Sequence, residues 1–159
     1  MDPKIEVLKE LAGYQFDALK RTCDGVTEKE ADWKQVEESN NIRWILNHLA
    51  RISNISIPRI VKADPEYMPK DWPADYREQH YAVEKLMADL EKGGEKTIKK
   101  LSTLKAEQLS EEIPLWGGTR TRQTGLFAYL GEIISHKGQI AMIRGNIKRR
   151  REKDPAFLT

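Results

Sequence analysis

Glu132-Ile133-Ile134-Ser135-His136-Lys137-Gly138-Gln139-Ile140 lies inside a long helical pattern near the C-terminus. Glu132 and His136 are four residues apart, so on a helix they stand one above the other on one face. Ile133 and Ile140 share part of that face, which therefore points at least partly inward. A carboxylate and an imidazole on an apolar stripe need a partner, because burying either one alone is costly. A metal ion is one such partner. The pair supplies two ligands, and a third must come from another helix, where His48 and His80 are the only other histidines.

The rest of the chain is expected to pack around this helix. Its 159 residues suit a single domain, 1–159, with one core. Hydrophobic residues make up 39% and charged residues 33%, the balance of a soluble globular protein with a charged surface. No apolar run approaches the ~20 residues of a membrane span. Met1-Asp2-Pro3-Lys4 leads straight into an amphipathic pattern, without the apolar core of a secretory leader. The single cysteine, Cys23, excludes an internal disulfide, and a reducing cytoplasm is the default. A net charge of +2 gives no compositional reason to invoke nucleic acid.

Four apolar stripes predict helices near 3–24, 40–61, 76–101 and 124–150. Pro3 suits a first helical turn; Ile5, Leu8, Ala12, Phe16, Leu19 and Cys23 follow at three- and four-residue steps, and Gly25 is a natural stop. On that stripe Cys23 reads as a small core residue rather than a catalytic thiol. Thr27-Glu28-Lys29-Glu30 is a capping-box pattern for a short helix, with Trp33 after it to plug the bundle end. Ser39 or Asn40 is expected to cap the second helix, with Ile42, Ile45, Leu46, Leu49 and Ile52 inward and a kink at Pro58. His48 lies at the edge of that stripe, where a bond to a carbonyl would serve it as well as a metal. Pro65, Pro69 and Pro73 break the connection 63–75, onto which Tyr67 and Trp72 are expected to pin. The third helix carries Val83, Leu86, Met87, Leu90 and Ile98 inward, with Gly93-Gly94 in mid-helix marking a bend or a close-packed neighbour. His80, among Arg77, Glu78 and Gln79, reads as surface. Ile113 to Thr121 is a small hairpin expected to turn on Gly117-Gly118. Leu126, Phe127, Leu130, Ile133, Ile134, Ile140 and Ala141 mark the last helix, whose basic end, Lys148 to Lys153, suits the helix dipole. The fold class is all-α: a four-helix bundle with a long crossover connection and a hairpin-like insertion before the last helix.

Asn41-Ile42-Arg43-Trp44-Ile45-Leu46-Asn47-His48-Leu49-Ala50 resembles the second-helix signature of the DinB/YfiT-like superfamily. Leu19-Lys20-Arg21, the segment from Thr27 to Trp33 and Ser39-Asn40 resemble the lead-in to it. Ser135-His136-Lys137-Gly138-Gln139-Ile140 resembles the fourth-helix signature, in which a histidine precedes a basic residue, Gly and Gln. The resemblance covers nearly the whole chain. It implies a commonly dimeric four-helix bundle with a three-ligand metal site, one ligand on the second helix and two, four apart, on the fourth. Carried over, the ligands are His48, Glu132 and His136, with Glu132 where the family usually has histidine. A Glu-x-x-x-His pair also resembles the mycothiol-dependent isomerase branch.

Glu is a good ligand for zinc, and nickel, manganese and iron accept the same donor types. Three protein ligands leave a position open for water or substrate. The resemblance implies a cytoplasmic homodimer that acts on a small molecule as a thiol S-transferase, isomerase or hydrolase, with a low-molecular-weight thiol as partner. Asn47, Arg51, Tyr129 and Gln139 are candidates to support ligand or substrate. Competing readings are a stress-related metal-binding bundle without catalysis, a nucleic-acid-associated protein using Arg144 and Lys148 to Arg151, and a plain structural bundle.

Overall fold

A computed structural model describes residues 2–159 of the chain; Met1 of the opening tetrapeptide lies outside them. The elements are α1 (Pro3–Cys23), α2 (Glu28–Asp32), α3 (Ile42–Arg51), a π-helical turn (Ile52–Ser56), α4 (Ile57–Lys62), α5 (Val83–Leu101), a 3-10 turn (Ala106–Ser110), β1 (Glu112–Leu115), β2 (Gly118–Thr121) and α6 (Arg122–Lys153). The segment from α3 through the π turn to α4 runs without a break and forms the second long helix of a four-helix bundle, whose other members are α1, α5 and α6. Ile45, Leu46, Leu49, Ile57, Leu86, Leu126, Ile133 and Ile140 are all fully buried between them.

Contacts along the helices fix their directions. Lys20 pairs with Glu91, the Phe16 ring lies against Gly94, and Gly13 faces Ile98, so α1 and α5 run antiparallel. Arg43 bonds the carbonyl of Tyr81, Asn54 bonds that of Asp89, and Lys62 and Lys100 both sit over the ring of Tyr67. Hence the 42–62 helix and α5 are parallel, and the connection 63–82 must travel back along the bundle as the expected crossover. Trp72 stacks on Tyr76 at 4.4 Å within it, so both anticipated aromatic anchors, Tyr67 and Trp72, are engaged. Ile60 meets Gly125 while His48 and Trp44 meet His136, which sets α6 antiparallel to the 42–62 helix.

Local chemistry explains the boundaries. Thr27 and Glu30 form the anticipated capping box, and Gly25 follows α1 with φ +70°. Asn41, not Ser39 or Asn40, caps α3; its side chain accepts from the Trp44 N–H at 2.8 Å. Pro58 lacks an N–H, and its ring would crowd the carbonyl four residues back. The wider π turn immediately before it relieves that conflict, with the Ile57 N–H reaching the Ile52 carbonyl. The Ala50 carbonyl accepts instead from Ser53 Oγ at 3.1 Å and Asn54 Nδ2 at 2.9 Å.

α5 begins at Val83, later than the expected 76, because the carbonyls of Tyr76 and Tyr81 are taken by Asn47 and Arg43. The Val83 N–H is then capped from a distance by Glu28 Oε1 at 2.8 Å. Gly93 and Gly94 leave α5 unbroken and serve close approach: an added Cβ would fall 2.3 Å from Ser53 Oγ and 2.9 Å from the Phe16 ring. The glycines are therefore used inside the chain. The hairpin turns on Trp116-Gly117 rather than Gly117-Gly118, with Leu115 opposite Gly118 and φ positive at both turn residues. That is the geometry of the primed turns whose twist suits a hairpin. Buried Arg122 fastens the start of α6 to this region through the carbonyls of Ile60 and Gln108 and a 2.7 Å ion pair with Glu111.

Candidate metal centre

α3 and α6 bring His48, Glu132 and His136 together, and one ligand atom from each lies within 4.8 Å of the others. Glu132 Oε2 stands 2.9 Å from His48 Nε2 and 3.4 Å from His136 Nε2. Donor atoms bound to one ion at ~2.0–2.1 Å stand roughly 3–3.5 Å apart, so the set fits a single divalent ion with little movement. Two imidazoles and a carboxylate also form a donor set that zinc and its neighbours accept. The side chains are 24%, 42% and 13% exposed, so the cluster is open enough to exchange an ion and a substrate.

Surrounding groups orient the imidazoles. His136 Nδ1 lies 3.0 Å from Gln139 Oε1, an acceptor, so Nδ1 carries the proton and Nε2 keeps its lone pair for the centre. His48 Nδ1 faces Arg51 Nη2 at 3.5 Å, and since arginine only donates, the His48 proton sits on Nε2 and is donated to Glu132. An ion would displace that proton, and the long Arg51 contact makes the tautomer exchange inexpensive. Arg51 Nε also donates to Asn47 Oδ1 at 3.2 Å, while Asn47 Nδ2 donates to the Tyr76 carbonyl, so Asn47 and Arg51 tie the site to the crossover connection. Burial lowers the pKa of His48; the nearby charges of His136 and Arg51 act in the same direction, against Glu132. Burial likewise lowers that of Arg51.

Tyr129, one turn before Glu132, is engaged elsewhere: its hydroxyl accepts from Trp116 Nε1 at 3.2 Å at the hairpin. Trp44 was not singled out from the sequence, yet its ring stacks on His48 at 5.2 Å and meets His136 edgewise at 6.2 Å. Its position four residues before His48 on the same helix was the available signal.

The other titratable candidates fall outside the centre. His80 lies at the surface, 3.0 Å from Asp32. Burial pushes the Cys23 thiol up to about 12, which leaves it inert as a nucleophile at neutral pH. Of the basic residues near the C-terminus, Arg144 bonds the Thr22 carbonyl, Arg149 bonds Asn146, Arg150 covers Trp33 and Phe157, and Arg151 pairs with buried Glu30 at 2.6 Å. Arg144 and Arg151 are thereby spent on the fold, while Lys148, Arg149 and Arg150 stay exposed at the end of α6.

The bundle is that of a DinB-like protein, a class that is generally metal-binding, and His48, Glu132 and His136 form a possible site in it. The chain belongs to the mycothiol-S-transferase family, whose model matches residues 7–149. It is similar in structure to a conserved protein of Enterococcus faecalis, with 20% identity, TM-score 0.66, and coverage of 87% of this chain and 94% of the other. A DinB-like protein of Bacillus subtilis, YjoA, is similar at 18% identity and TM-score 0.64, over 86% of this chain and 90% of the other. At such identities the likeness carries the fold and not the chemistry. No curated protein matches the chain. Among the described residues no helix is long and apolar enough to cross a membrane.

Proposed function

We propose that the protein is a metal-dependent transferase that joins a low-molecular-weight thiol of the mycothiol kind to a small electrophile. The observation that carries this reading is the convergence of His48, Glu132 and His136 in a chain of the mycothiol-S-transferase family. Zinc or nickel suits the donor set best, and manganese or iron can occupy it. A divalent ion held by these three residues would lower the pKa of a bound thiol and keep it as thiolate at neutral pH.

The chain's own residues supply the rest. His48 and His136 must present neutral Nε2 atoms, and the burial that lowers the His48 pKa favours this state. Gln139 fixes the His136 ring, and Trp44 covers His48 from solvent. The Arg51 guanidinium adds positive charge beside the site, where an attacking sulfur would be anionic. In the transfer a C–S bond forms, the carbon–leaving-group bond breaks with its electron pair, and the thiol proton passes to solvent. An isomerase or hydrolase would use the same three side chains.

The test is conjugation of mycothiol or bacillithiol to monochlorobimane by tag-free protein loaded with zinc or nickel. Thiol- and metal-dependent product, lost in His136→Ala and kept in His80→Ala, is expected. Fully loaded protein that turns over no electrophile with either thiol would leave a metal-binding bundle without catalysis in its place; ester hydrolysis without thiol would make it a hydrolase.

The proposal includes a cytoplasmic homodimer. Val7, Leu11 and Tyr14 on α1 and Phe127, Ile134 and Met142 on α6 are exposed, and a Cβ added at Gly131 or Gly138 would meet nothing. This outer face of α1 and α6 fits a second copy better than water. A monomer by light scattering across micromolar concentrations would remove it.

A further inference from the structure

A cleft of about 530 Å³ opens between the hairpin, the 42–62 helix and α6, lined by Ile60, Pro65, Leu115 and Trp116 with Ser56, Arg59 and Tyr129 among its polar groups. Its size is that of a small-molecule site. Its polar groups are incompletely used. Arg59 Nε donates to the Tyr67 carbonyl at 2.9 Å, but among the described residues neither of its terminal nitrogens has a hydrogen bond or ion pair. The Ser56 hydroxyl has no partner either, and the Tyr129 hydroxyl, which accepts from Trp116, keeps its own proton to donate. The unpartnered Arg59 nitrogens are open to solvent and so free to meet a ligand, and a carboxylate matches the fork of the guanidinium. Tyr129 and Glu132 are i, i+3 neighbours on α6, so the cleft begins about one helical turn, ~5 Å, from the His48/Glu132/His136 cluster.

We propose that this cleft binds a small apolar or aromatic carboxylate, with Arg59 holding the carboxylate, Trp116 covering the body, and Tyr129 at the border with the metal centre. Resting on the transferase reading, it assigns the electrophilic substrate to carboxylate-bearing molecules and places their reactive end towards Glu132. The cleft also stands as a binding site without metal.

Phenylacetate and phenylacetamide are matched probes, titrated calorimetrically into metal-free and zinc-loaded protein. Phenylacetate is expected to bind both forms more tightly than the amide. Its affinity should fall at least about tenfold in Arg59→Gln, the scale of one charge-assisted hydrogen bond, and recover partly in Arg59→Lys. The amide should bind all three proteins alike. Unchanged thermal unfolding and zinc uptake in Arg59→Gln separate this loss from misfolding; where unfolding does change, Trp116→Ala, at an exposed hairpin tip, gives the second measure. Equal binding of acid and amide, indifference to Arg59→Gln, or binding that needs zinc and disappears in His136→Ala would each overturn the proposal. Carboxylate binding with no zinc uptake would instead sink the metal reading and leave the cleft.

Discussion

Two polar clusters share α3, and they are built on opposite principles. Five residues before His48, Arg43 is saturated. Its Nε and Nη2 hold both oxygens of Asp32 at 2.6 and 2.9 Å, Nη2 also reaches Glu28 Oε2 at 2.6 Å, and Nη1 donates to the Tyr81 carbonyl at 2.5 Å. Each nitrogen of the Arg43 guanidinium has an acceptor, and the hydrogen bonds from Arg43 hold the pKa of Asp32 below its usual range. Glu28 is lowered in the same way, first by the Val83 N–H and then by Arg43. At the metal centre two imidazoles share a single oxygen of Glu132, with no ion pair to balance the carboxylate unless a proton or a metal ion supplies the charge. Saturation marks the first cluster as a joint between α2, α3 and the start of α5. Under-supply of charge makes the second the candidate site for a cation.

The contrast can be broken most forcefully at His136. His136→Ala should weaken zinc binding by more than the roughly 10–100-fold typical of outer-shell changes, while melting close to wild type. Arg43→Met should do the reverse, costing about 2–3 kcal/mol of stability in denaturant melts with zinc affinity preserved in the folded protein. Gln139→Ala should weaken zinc by about tenfold, at the low end for an orienting group. A smaller effect concerns pH. The His48 pKa is lowered in the fold, so as pH falls below ~6.5 the unfolded chain takes up that proton first and metal-free stability declines until the folded value is passed. His48→Gln should flatten the melting-temperature profile in that window. The lowered carboxyls of Glu28 and Asp32 act only in more acidic solution, so Arg43→Met should flatten the profile there instead. His80→Ala should leave zinc affinity unchanged.

The spacing of Glu132 and His136, the four apolar stripes, the Thr27 box and the crossover were legible because each rests on local periodicity or on the length of a connection. The membership of His48 was not legible from its own helix, where its edge position suited a carbonyl bond equally. It meets Glu132 across a separation of 84 residues, and only the resemblance linked them. The start of α5 was misplaced because the carbonyls of Tyr76 and Tyr81 are claimed by α3 side chains distant in sequence. Gly93 and Gly94 were legible as anomalies, while the reason for them lay in Ser53 and Phe16. Trp44 sat inside the second-helix signature without a role of its own, and Arg59 carried no motif; the fold alone sets Trp44 against both histidines and Arg59 in the wall of a cleft.

Zinc titration of tag-free, metal-stripped protein at neutral pH, with X-ray absorption at the zinc edge on the saturated sample, tests the central claim most directly. One ion per chain is expected, with a first shell of nitrogen and oxygen only, two imidazole signatures and distances of ~2.0–2.2 Å. No saturable binding, a sulfur ligand, or the same spectrum from His136→Ala would contradict it.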